Sequence, residues 1–330
     1  MRTVFRTDSG AGSGLGHVQR CLAVAAALAE HGIECTFAVP ELESVRERIE
    51  RAGFTAVKLG AGLPAEPGDV LVVDSYHVDA AYLRGLRDAG LAVALLDDHA
   101  AFPIPCSLCV NAGANAESLP YRSESDDTRF LLGPRYALLP PELWDAAPNA
   151  PAEQVANVLL TLGGSDPHGL APQLLDALDA LDGDFTLTVA VGPYFSGRSQ
   201  LAGPRKHDVV LLDAPPSLVE AMRAADLAVS AAGTTLYALA RLGVPTVALE
   251  IADNQRGGLA ALAQAGAVRL AGRAGDPGLP SAVAAAVREL VDDAAARSSL
   301  AAAGAALLDG QGARRVGAAV RELRSVCNDG

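Results

Sequence analysis

The chain has little positive charge and no long apolar run, and each absence excludes a class of protein. Its 330 residues include 26 Lys and Arg against 39 Asp and Glu, a formal net charge of −13. Nucleic-acid affinity depends on Lys and Arg against phosphates, so we expect no nucleic-acid partner. No apolar stretch approaches the ~20 residues of a membrane-spanning helix, and the first residues lead into a strand without a signal-peptide pattern. The sequence therefore predicts a cytoplasmic protein with no membrane partner, and nothing in it indicates an obligate protein partner.

The cysteines are too few for a disulfide framework and do not form a metal site. Cys106-Ser107-Leu108-Cys109 is a lone CxxC pair, whereas a structural zinc needs four ligands. A redox pair usually opens a helix, but this one runs into a predicted apolar strand. We therefore expect no metal and no cofactor, and we interpret the cysteines as small buried hydrophobic residues. They are Cys21, Cys35, Cys106, Cys109 and Cys327.

The first candidate site is a glycine-rich loop between a short strand, Thr3–Phe5, and an Ala/Leu-rich helix that closes at Gly32. Glycines allow close approach of a ligand to the backbone, and the helix behind them offers unpaired N–H groups that suit a phosphate. His17, at the start of the helix, can accept or donate a proton near neutral pH. This combination is typical of an enzyme acting on a phosphate ester. Alternatively, the glycines only make a tight turn and His17 is a cap or surface residue.

Two familiar glycine loops do not fit this stretch. A P-loop needs Lys followed by Ser or Thr after its glycines, and this loop has neither. A dinucleotide fingerprint needs a third glycine where His17 stands and an acidic residue near the end of the second strand, but that strand, Cys35–Val39, is followed by Pro40. ATP-driven and NAD-dependent functions are therefore disfavoured.

Strands alternate with helices in both halves of the chain, which predicts two open parallel-sheet α/β domains. The Pro-rich segment 134–151, which contains the only tryptophan, Trp144, predicts the junction between domains 1–147 and 148–330. Two such sheets facing across a cleft would direct several helix N-termini at one ligand.

Polar or glycine-bearing loops follow several predicted strands, at the edge where open α/β sheets bind ligands. In the first half these loops contain Asp74 to His77 and Asp97-Asp98-His99. In the second half they are Gly163-Gly164-Ser165, Gly233-Thr234-Thr235 and Asp253-Asn254-Gln255. Each loop read alone is also compatible with a plain turn or a helix cap.

The chain resembles, over nearly its whole length and in order, the UDP-2,4-diacetamido-2,4,6-trideoxy-β-L-altropyranose hydrolases of pseudaminic acid biosynthesis. In the first half the resemblance rests on Phe5-Arg6-x-Asp8-Ser9, Gly14-x-Gly16-His17-x-x-Arg20-Cys21-Leu22, Val73-Asp74-Ser75-Tyr76, Asp97-Asp98, Asn111 and Leu132-Gly133-Pro134-x-Tyr136-Ala137-Leu138-Leu139. In the second half it rests on Gly163-Gly164-Ser165-Asp166-Pro167, Ser230-Ala231-Ala232-Gly233-Thr234-Thr235-Leu236-Tyr237 and Ala252-Asp253-Asn254-Gln255.

The resemblance implies the two-domain glycosyltransferase-B fold, in which the last helix often returns to the first domain. It also implies hydrolysis of a UDP-linked deoxy amino sugar at the anomeric carbon, with His17 as the general base on water and inversion of configuration. The sugar-binding or substrate-binding residues implied are Asp8, Gly14, Gly16, Arg20, Tyr76, Asn254 and Gln255. The diphosphate-binding residues implied are Gly164, Ser165, Gly233, Thr234 and Thr235.

Two departures from the family pattern bear on the substrate. Ala238 replaces the glutamate that binds ribose hydroxyls in this fold, which either weakens nucleotide binding or leaves that role to another residue such as Glu250. Pro140 and Pro141 replace an expected arginine near the junction. Two other functions stay open: a glycosyltransferase of the same fold with a hydroxyl acceptor, and a non-catalytic nucleotide-sugar binder.

Overall fold

The computed structural model of the protein describes residues 2–10, 15–60 and 62–326. The chain divides into two compact units. The first contains the described residues up to Pro141 together with those from Gly310 onward, and the second is Glu142–Asp309. Gly14, one of the predicted substrate-binding residues, lies outside the described residues, as does Cys327.

The first unit is a parallel sheet with helices packed on it. Its elements are β1 (Thr3–Thr7), α1 (Gly16–Ala29), β2 (Cys35–Val39), α2 (Leu42–Arg51), β3 (Thr55–Lys58), β4 (Val70–Asp74), α3 (Ala80–Asp88), β5 (Ala92–Leu96), β6 (Leu108–Asn111) and β7 (Arg129–Leu132). Within the described residues, the strands form one seven-stranded parallel sheet in the order β3-β2-β1-β4-β5-β6-β7.

The central strands are continuous apolar runs because both faces of the sheet are covered. Every residue of β4 and β5 is buried. On one face, Phe5 stacks on Phe37 with ring centroids 4.8 Å apart, and helices α1 and α2 pack over them. Each such buried side chain contributes about 1.5–3 kcal/mol.

The second unit repeats the same architecture. Its elements are β8 (Asn157–Thr161), α4 (Leu170–Asp179), β9 (Thr186–Val191), β10 (Val209–Asp213), α5 (Val219–Ala224), β11 (Leu227–Ala231), α6 (Thr234–Arg241), β12 (Thr246–Glu250), α7 (Arg256–Gln264), β13 (Arg269–Arg273), α8 (Leu279–Asp292) and α9 (Ala294–Leu307). In the described part of the unit, six parallel strands take the order β10-β9-β8-β11-β12-β13.

The last helix, α10 (Gly312–Val326), belongs to the first unit, where it packs along α1. A Cβ atom on Gly317 would lie 3.0 Å from the Ala27 Cβ atom, so the two helices pack closely at this glycine. Arg314 Nη2 donates to Glu30 Oε1 at 2.9 Å at the end of α1.

The units divide after Pro141, whereas the predicted boundary follows residue 147. The reason is that Leu143 and Trp144 are buried, and the Arg241 guanidinium of α6 donates to the carbonyls of Trp144 and Ala146. These contacts join residues 142–147 to the second unit.

The predicted α/β class is confirmed. Apolar runs in the sequence predict β1, β2, β4, β5, β6 and β8–β12, but they do not predict β3, β7 and β13, each of which has two or more exposed or half-buried residues. Short 3₁₀ turns lie at Ala116–Ser118, Pro134–Tyr136, Pro141–Leu143, Arg198–Leu201 and Asp253–Gln255. Among the described residues, no helix has the length and apolar character to span a membrane.

Candidate functional site

Each sheet has a point where successive strands are added on opposite sides, and loops at the carboxyl ends of those strands are the usual ligand sites. In the first unit this point lies between β1 and β4, and in the second between β8 and β11. The predicted site residues follow these four strands, with the exception of Asn254 and Gln255, which follow β12.

The first centre is built on a histidine and an aspartate from neighbouring elements. His17 is the second residue of α1, and Asp74 is the last residue of β4. Their side chains meet, with His17 Nδ1 2.6 Å from Asp74 Oδ1. A carboxylate only accepts hydrogen bonds, so Nδ1 carries the proton and Nε2 of a neutral ring is left as the acceptor. His17 is 5% exposed and Asp74 is 0% exposed.

Asp74 is held as a carboxylate by its neighbours. Burial alone would raise its pKa, but the Arg20 guanidinium and the hydrogen bonds from Arg20 and His17 lower the pKa to about 2. The thiol of Cys21 donates to Asp74 Oδ2 at 3.6 Å. Burial and the Asp74 charge raise the pKa of that thiol well above its usual value, so it is a neutral donor.

Arg20 lies between two carboxylates. Its Nε and Nη2 atoms each donate to Asp74 at 2.6 Å, and its Nη1 atom donates to both oxygens of Asp98 at 2.9 Å. Asp98 also accepts a 2.6 Å hydrogen bond from the Tyr76 hydroxyl. The Tyr76 ring is 45% exposed and lies edge-on to His17, with ring centroids 4.6 Å apart. We call these five residues (His17, Asp74, Arg20, Asp98 and Tyr76) the His17 centre.

The two other predicted residues of this region have different surroundings. Asp8 is 3% exposed and accepts hydrogen bonds from Arg6 Nη1 at 3.2 Å and from the Tyr76 backbone N–H at 3.1 Å, so it fixes the loop that carries Tyr76. Gly16 begins α1, and no described atom lies within 4 Å of a Cβ atom added there. Nearby, the Glu41 carboxylate lies against Gly10, where an added Cβ atom would be 2.2 Å from Oε2. The phosphate predicted from the sequence at this loop stays a prediction, because residues 11–14 lie outside the described part of the chain.

The second unit presents a different centre at the start of α6. Gly233 precedes the helix in an extended conformation and has no side chain to cap it. In the described part of the chain, no hydrogen bond from a side chain to the Thr234 or Thr235 N–H group is observed. The first turn contains no acidic residue, and Thr234 and Thr235 are half-buried. An uncapped helix N-terminus with adjacent hydroxyl groups suits a phosphate. We call Gly233, Thr234 and Thr235 the α6 centre.

The loop after β8 contains Gly164 and Ser165, but the helix that follows it is capped from within. Asp166 is buried, and its two carboxylate oxygens accept hydrogen bonds from the backbone N–H groups of Leu170 and Ala171 at 2.9 and 2.8 Å. The loop backbone is supported by Gly192, where an added Cβ atom would lie 2.3 Å from the Gly164 carbonyl oxygen. The N-terminus of α4 is therefore satisfied by a carboxylate, unlike that of α6.

The residues after β12 form a polar turn next to a charged cluster. Gln255 Oε1 accepts a hydrogen bond from the Ile251 N–H at 2.9 Å, and Asn254 is exposed. Glu250 pairs with Arg256 at 2.9 Å and lies 4.0 Å from Arg273. The carboxylate that we considered as a substitute for the missing ribose-binding glutamate is thus paired with arginine.

Sequence reasoning located His17 but did not assign Asp74 its role, and it did not identify Asp98 as the partner of Arg20. The signal for Asp74 is an acidic residue at the end of the strand next to β1.

Among the described residues, no group of three or more His, Cys, Asp or Glu side chains is placed to hold a metal ion. Four cysteines, Cys21, Cys35, Cys106 and Cys109, are buried and free, which confirms their predicted burial.

No protein-family model matches the chain. Among curated proteins, it is similar to the uncharacterized protein MJ1062 of Methanocaldococcus jannaschii, with 26% identity over 279 residues, 78% of this chain and 57% of that protein. It is also similar to the pseudaminic acid cytidylyltransferase and UDP-2,4-diacetamido-2,4,6-trideoxy-β-L-altropyranose hydrolase of Helicobacter pylori, with 25% identity over 247 residues, 74% of this chain and 43% of that protein. The chain thus spans about half the length of these two relatives.

A third relative matches over its full length. The spore coat polysaccharide biosynthesis protein SpsG of Bacillus subtilis is 23% identical over 332 residues, 96% of each chain. Solved structures similar to this chain include MurG of Acinetobacter baumannii, with a TM-score of 0.68 and 15% identity, and the spinosyn rhamnosyltransferase SpnG complexed with thymidine diphosphate, with a TM-score of 0.66 and 19% identity. Both matches cover 98% of this chain and 100% of the other. The protein has the glycosyltransferase-B fold.

Proposed function

We propose that the protein transfers a glycosyl group from a nucleotide sugar to a hydroxyl acceptor, with His17 as the general base. The observation that carries this proposal is the 2.6 Å contact between His17 Nδ1 and Asp74 Oδ1, at the point of the sheet where ligands bind. Asp74 fixes the tautomer of the ring, and Nε2 is the atom that takes the proton of the nucleophile. Such a base contributes about 10²–10⁴-fold to the rate.

The proposed reaction is a displacement at the anomeric carbon. The acceptor oxygen forms a bond to that carbon and gives its proton to His17 Nε2. The bond between the anomeric carbon and the diphosphate oxygen breaks, and the nucleoside diphosphate leaves with the electron pair. Because the attack comes from the side opposite the leaving group, the configuration inverts.

In this proposal the second unit binds the nucleotide. The N–H groups at the start of α6 and the hydroxyls of Thr234 and Thr235 bind the diphosphate and stabilise the charge that develops on it. Gly164 and Ser165 offer further backbone N–H groups, and Asn254 and Gln255 contact the sugar or the phosphates. Asp8, Gly14, Gly16 and Tyr76 shape the sugar side of the site.

The choice of a hydroxyl acceptor is supported by the solved structures. SpnG is a rhamnosyltransferase crystallised with thymidine diphosphate, and CalG4, with a TM-score of 0.66 and 15% identity, is a calicheamicin glycosyltransferase. Water is the second candidate nucleophile, because the Helicobacter pylori relative is named as a hydrolase of a UDP-linked diacetamido sugar. His17 has the same role in both reactions, and only the molecule it deprotonates differs.

The experiment is mass spectrometry of the protein incubated with a panel of UDP-, dTDP- and CMP-sugars, with and without candidate hydroxyl acceptors. Transfer predicts release of UDP, dTDP or CMP, according to the donor, that depends on the acceptor, together with a product heavier than the acceptor by one glycosyl unit. Release of free sugar without any acceptor would replace transfer by hydrolysis. Binding of a nucleotide sugar without turnover under all conditions would overturn both and favour a non-catalytic binder.

A further inference from the structure

Arg20 is the residue of the His17 centre whose contacts fit its predicted role least. The resemblance assigns it to substrate binding, yet its Nε, Nη1 and Nη2 atoms all donate to carboxylates of the protein. Its side chain is only 14% exposed. A guanidinium has five N–H donors in a fixed planar arrangement. Because those of Arg20 are bonded to carboxylates on two sides, few of them are free to bind a ligand.

We infer that Arg20 is a positioning residue of the proposed reaction, which holds Asp74 in the orientation that fixes His17. This inference rests on the proposed function, because it assigns Arg20 to the base and not to the substrate.

The geometric observation is a closed ring of contacts. His17 bonds Asp74, Asp74 is held bidentately by Arg20, and Arg20 is held by Asp98. Asp98 then accepts the Tyr76 hydroxyl, and the Tyr76 ring returns to the edge of His17. The ring is assembled from α1, β4 and the loops after β4 and β5, so no single loop can move the imidazole alone. Displacement of a catalytic group by 1 Å costs about 10²-fold in rate.

The charge of Arg20 supports the same role. Burial opposes that charge, but Asp74 and Asp98 raise the pKa of Arg20 well above the usual value, so the guanidinium stays charged and pairs with the buried Asp74 carboxylate. Arg20 Nη2 and His17 Nδ1 both contact Asp74 Oδ1. Loss of Arg20 would therefore remove two of the hydrogen bonds that orient this carboxylate toward His17.

The other titratable groups around this centre do not replace Arg20. Cys21 on α1 is a neutral thiol, Asp98 is already bonded to Arg20 and Tyr76, and Asp8, from the loop after β1, bonds Arg6 and the Tyr76 backbone. Among the described residues that contact Asp74 and His17, Arg20 is the one cationic group, since Arg6 pairs with Asp8 and lies over the Tyr82 ring.

The test compares three variants with the wild type. Arg20→Met removes the charge and the fork, Arg20→Lys keeps the charge without the fork, and Asp98→Asn weakens the outer anchor. The matched control is Arg87→Met, because Arg87 also bridges two partners in the first unit, Asp127 and the Pro105 carbonyl, away from this centre. Steady-state kinetics from pH 5 to pH 9 are combined with ¹⁵N NMR of the histidine rings, with His17 assigned from a His17→Asn sample.

In Arg20→Met we expect kcat to fall by about 10- to 100-fold while KM for the nucleotide sugar changes less than about threefold. The ¹⁵N signals of His17 Nδ1 and Nε2, which report the tautomer and the hydrogen bond to Asp74, should differ from those of the wild type. Arg20→Lys lowers kcat with a smaller change of these signals, Asp98→Asn shows a weaker form of both effects, and Arg87→Met shows neither.

Two outcomes would overturn the inference. A rise in KM with an unchanged kcat and unchanged His17 signals would make Arg20 a substrate contact. A lower melting temperature with unchanged His17 signals would leave it a purely structural residue. The NMR measurement needs no turnover, so it reports the effect of Arg20 on His17 even if no nucleotide sugar is a substrate. An absence of turnover in the wild type would count against the proposed function alone.

Discussion

The two units use the same strand order but place different chemistry in the corresponding loops. Around β1 and β4 the first unit places a histidine and carboxylates that are paired with arginines, whereas around β8 and β11 the second unit places glycines, threonines and an uncapped helix N-terminus. The backbone N–H groups of a helix N-terminus attract a phosphate, whereas paired carboxylates do not. The comparison teaches that one sheet topology supplies a position for a ligand, while the side chains decide which ligand chemistry that position accepts.

Three carboxylates near β1 and β4 each have a cationic or histidine partner. Asp8 bonds Arg6, Asp98 bonds Arg20, and Asp74 bonds both Arg20 and His17. This pairing lets acidic residues orient a base. Under the proposed function, proton transfer belongs to the first unit and anion binding to the second.

The largest expected effect is on turnover in the first unit. His17→Asn removes the proton acceptor and should lower kcat by about 10²–10⁴-fold. Because the α6 centre is untouched, the affinity for a nucleoside diphosphate, measured by isothermal titration calorimetry, should stay within about twofold. The control is His31→Asn, an exposed histidine just after α1. Full activity of His17→Asn would remove the base from the mechanism.

The next effect is the acid sensitivity of the first unit. The folded-state pKa of Asp74 is about 2, below its unfolded value of about 3.9. The contribution of ionised Asp74 to the free energy of unfolding is therefore fully present above about pH 5 and is lost as the pH falls through 4 toward 2. This contribution amounts to roughly 2–3 kcal/mol.

Hydrogen–deuterium exchange of peptides from α1 and β4 measures this local free energy of unfolding. The advantage of the wild type over Asp74→Asn should shrink steadily as the solution is acidified. Peptides from the second unit serve as the control, since they should show no difference between the two proteins. An advantage that does not depend on pH would mean that Asp74 is not held as a carboxylate by Arg20 and His17.

A smaller effect is expected on nucleotide binding in the second unit. Gly233 has φ −94°, which any residue adopts, and no described atom lies within 4 Å of an added Cβ atom. Gly233→Val should therefore fold, but its side chain occupies the space in front of α6. We expect the affinity for a nucleoside diphosphate to fall by about tenfold or more, since charged hydrogen bonds contribute about 1.5–3 kcal/mol.

Gly85→Val is the matched control for this change, because Gly85 is exposed on α3 and also has open space around it. Calorimetric titration with UDP and dTDP measures both variants. Unchanged affinity of Gly233→Val would move the diphosphate away from the α6 centre and would remove the contrast between the units.

The sequence predicts the parts of this arrangement that depend on local pattern. Apolar runs give β4, β5 and β12 directly, and glycine followed by Thr-Thr marks the start of α6. The pairing of His17 with Asp74 depends on the order of strands in the sheet, which brings together residues 57 positions apart. Edge strands such as β13 are missed because an exposed strand needs no apolar run.

The same limit explains the different state of the two helix N-termini. From the sequence, α4 and α6 both follow a glycine-bearing turn and both suit a phosphate. Asp166 is part of the recognised motif, but only the backbone geometry, with φ +45° at this residue, turns its carboxylate onto the N–H groups of Leu170 and Ala171. The spacing of residues in the sequence does not predict a helix cap that is formed by a residue outside the N-cap position.

The smallest predicted effect separates these two helices. Asp166→Asn keeps the size of the side chain and tolerates the positive φ, but only its single oxygen can accept, so one of the two N–H bonds is lost. We expect the second unit to lose about 0.5–1.5 kcal/mol of stability in chemical denaturation, while nucleoside diphosphate affinity stays within about twofold. A clear gain in affinity would mean that the carboxylate faces a bound phosphate and repels it, so α4 would share the anion site with α6. If the affinity is unchanged and the stability is lower, Asp166 acts as a helix cap. The first N–H groups of α4 are then already bonded to its carboxylate and are not free to bind an anion, which leaves anion binding to α6.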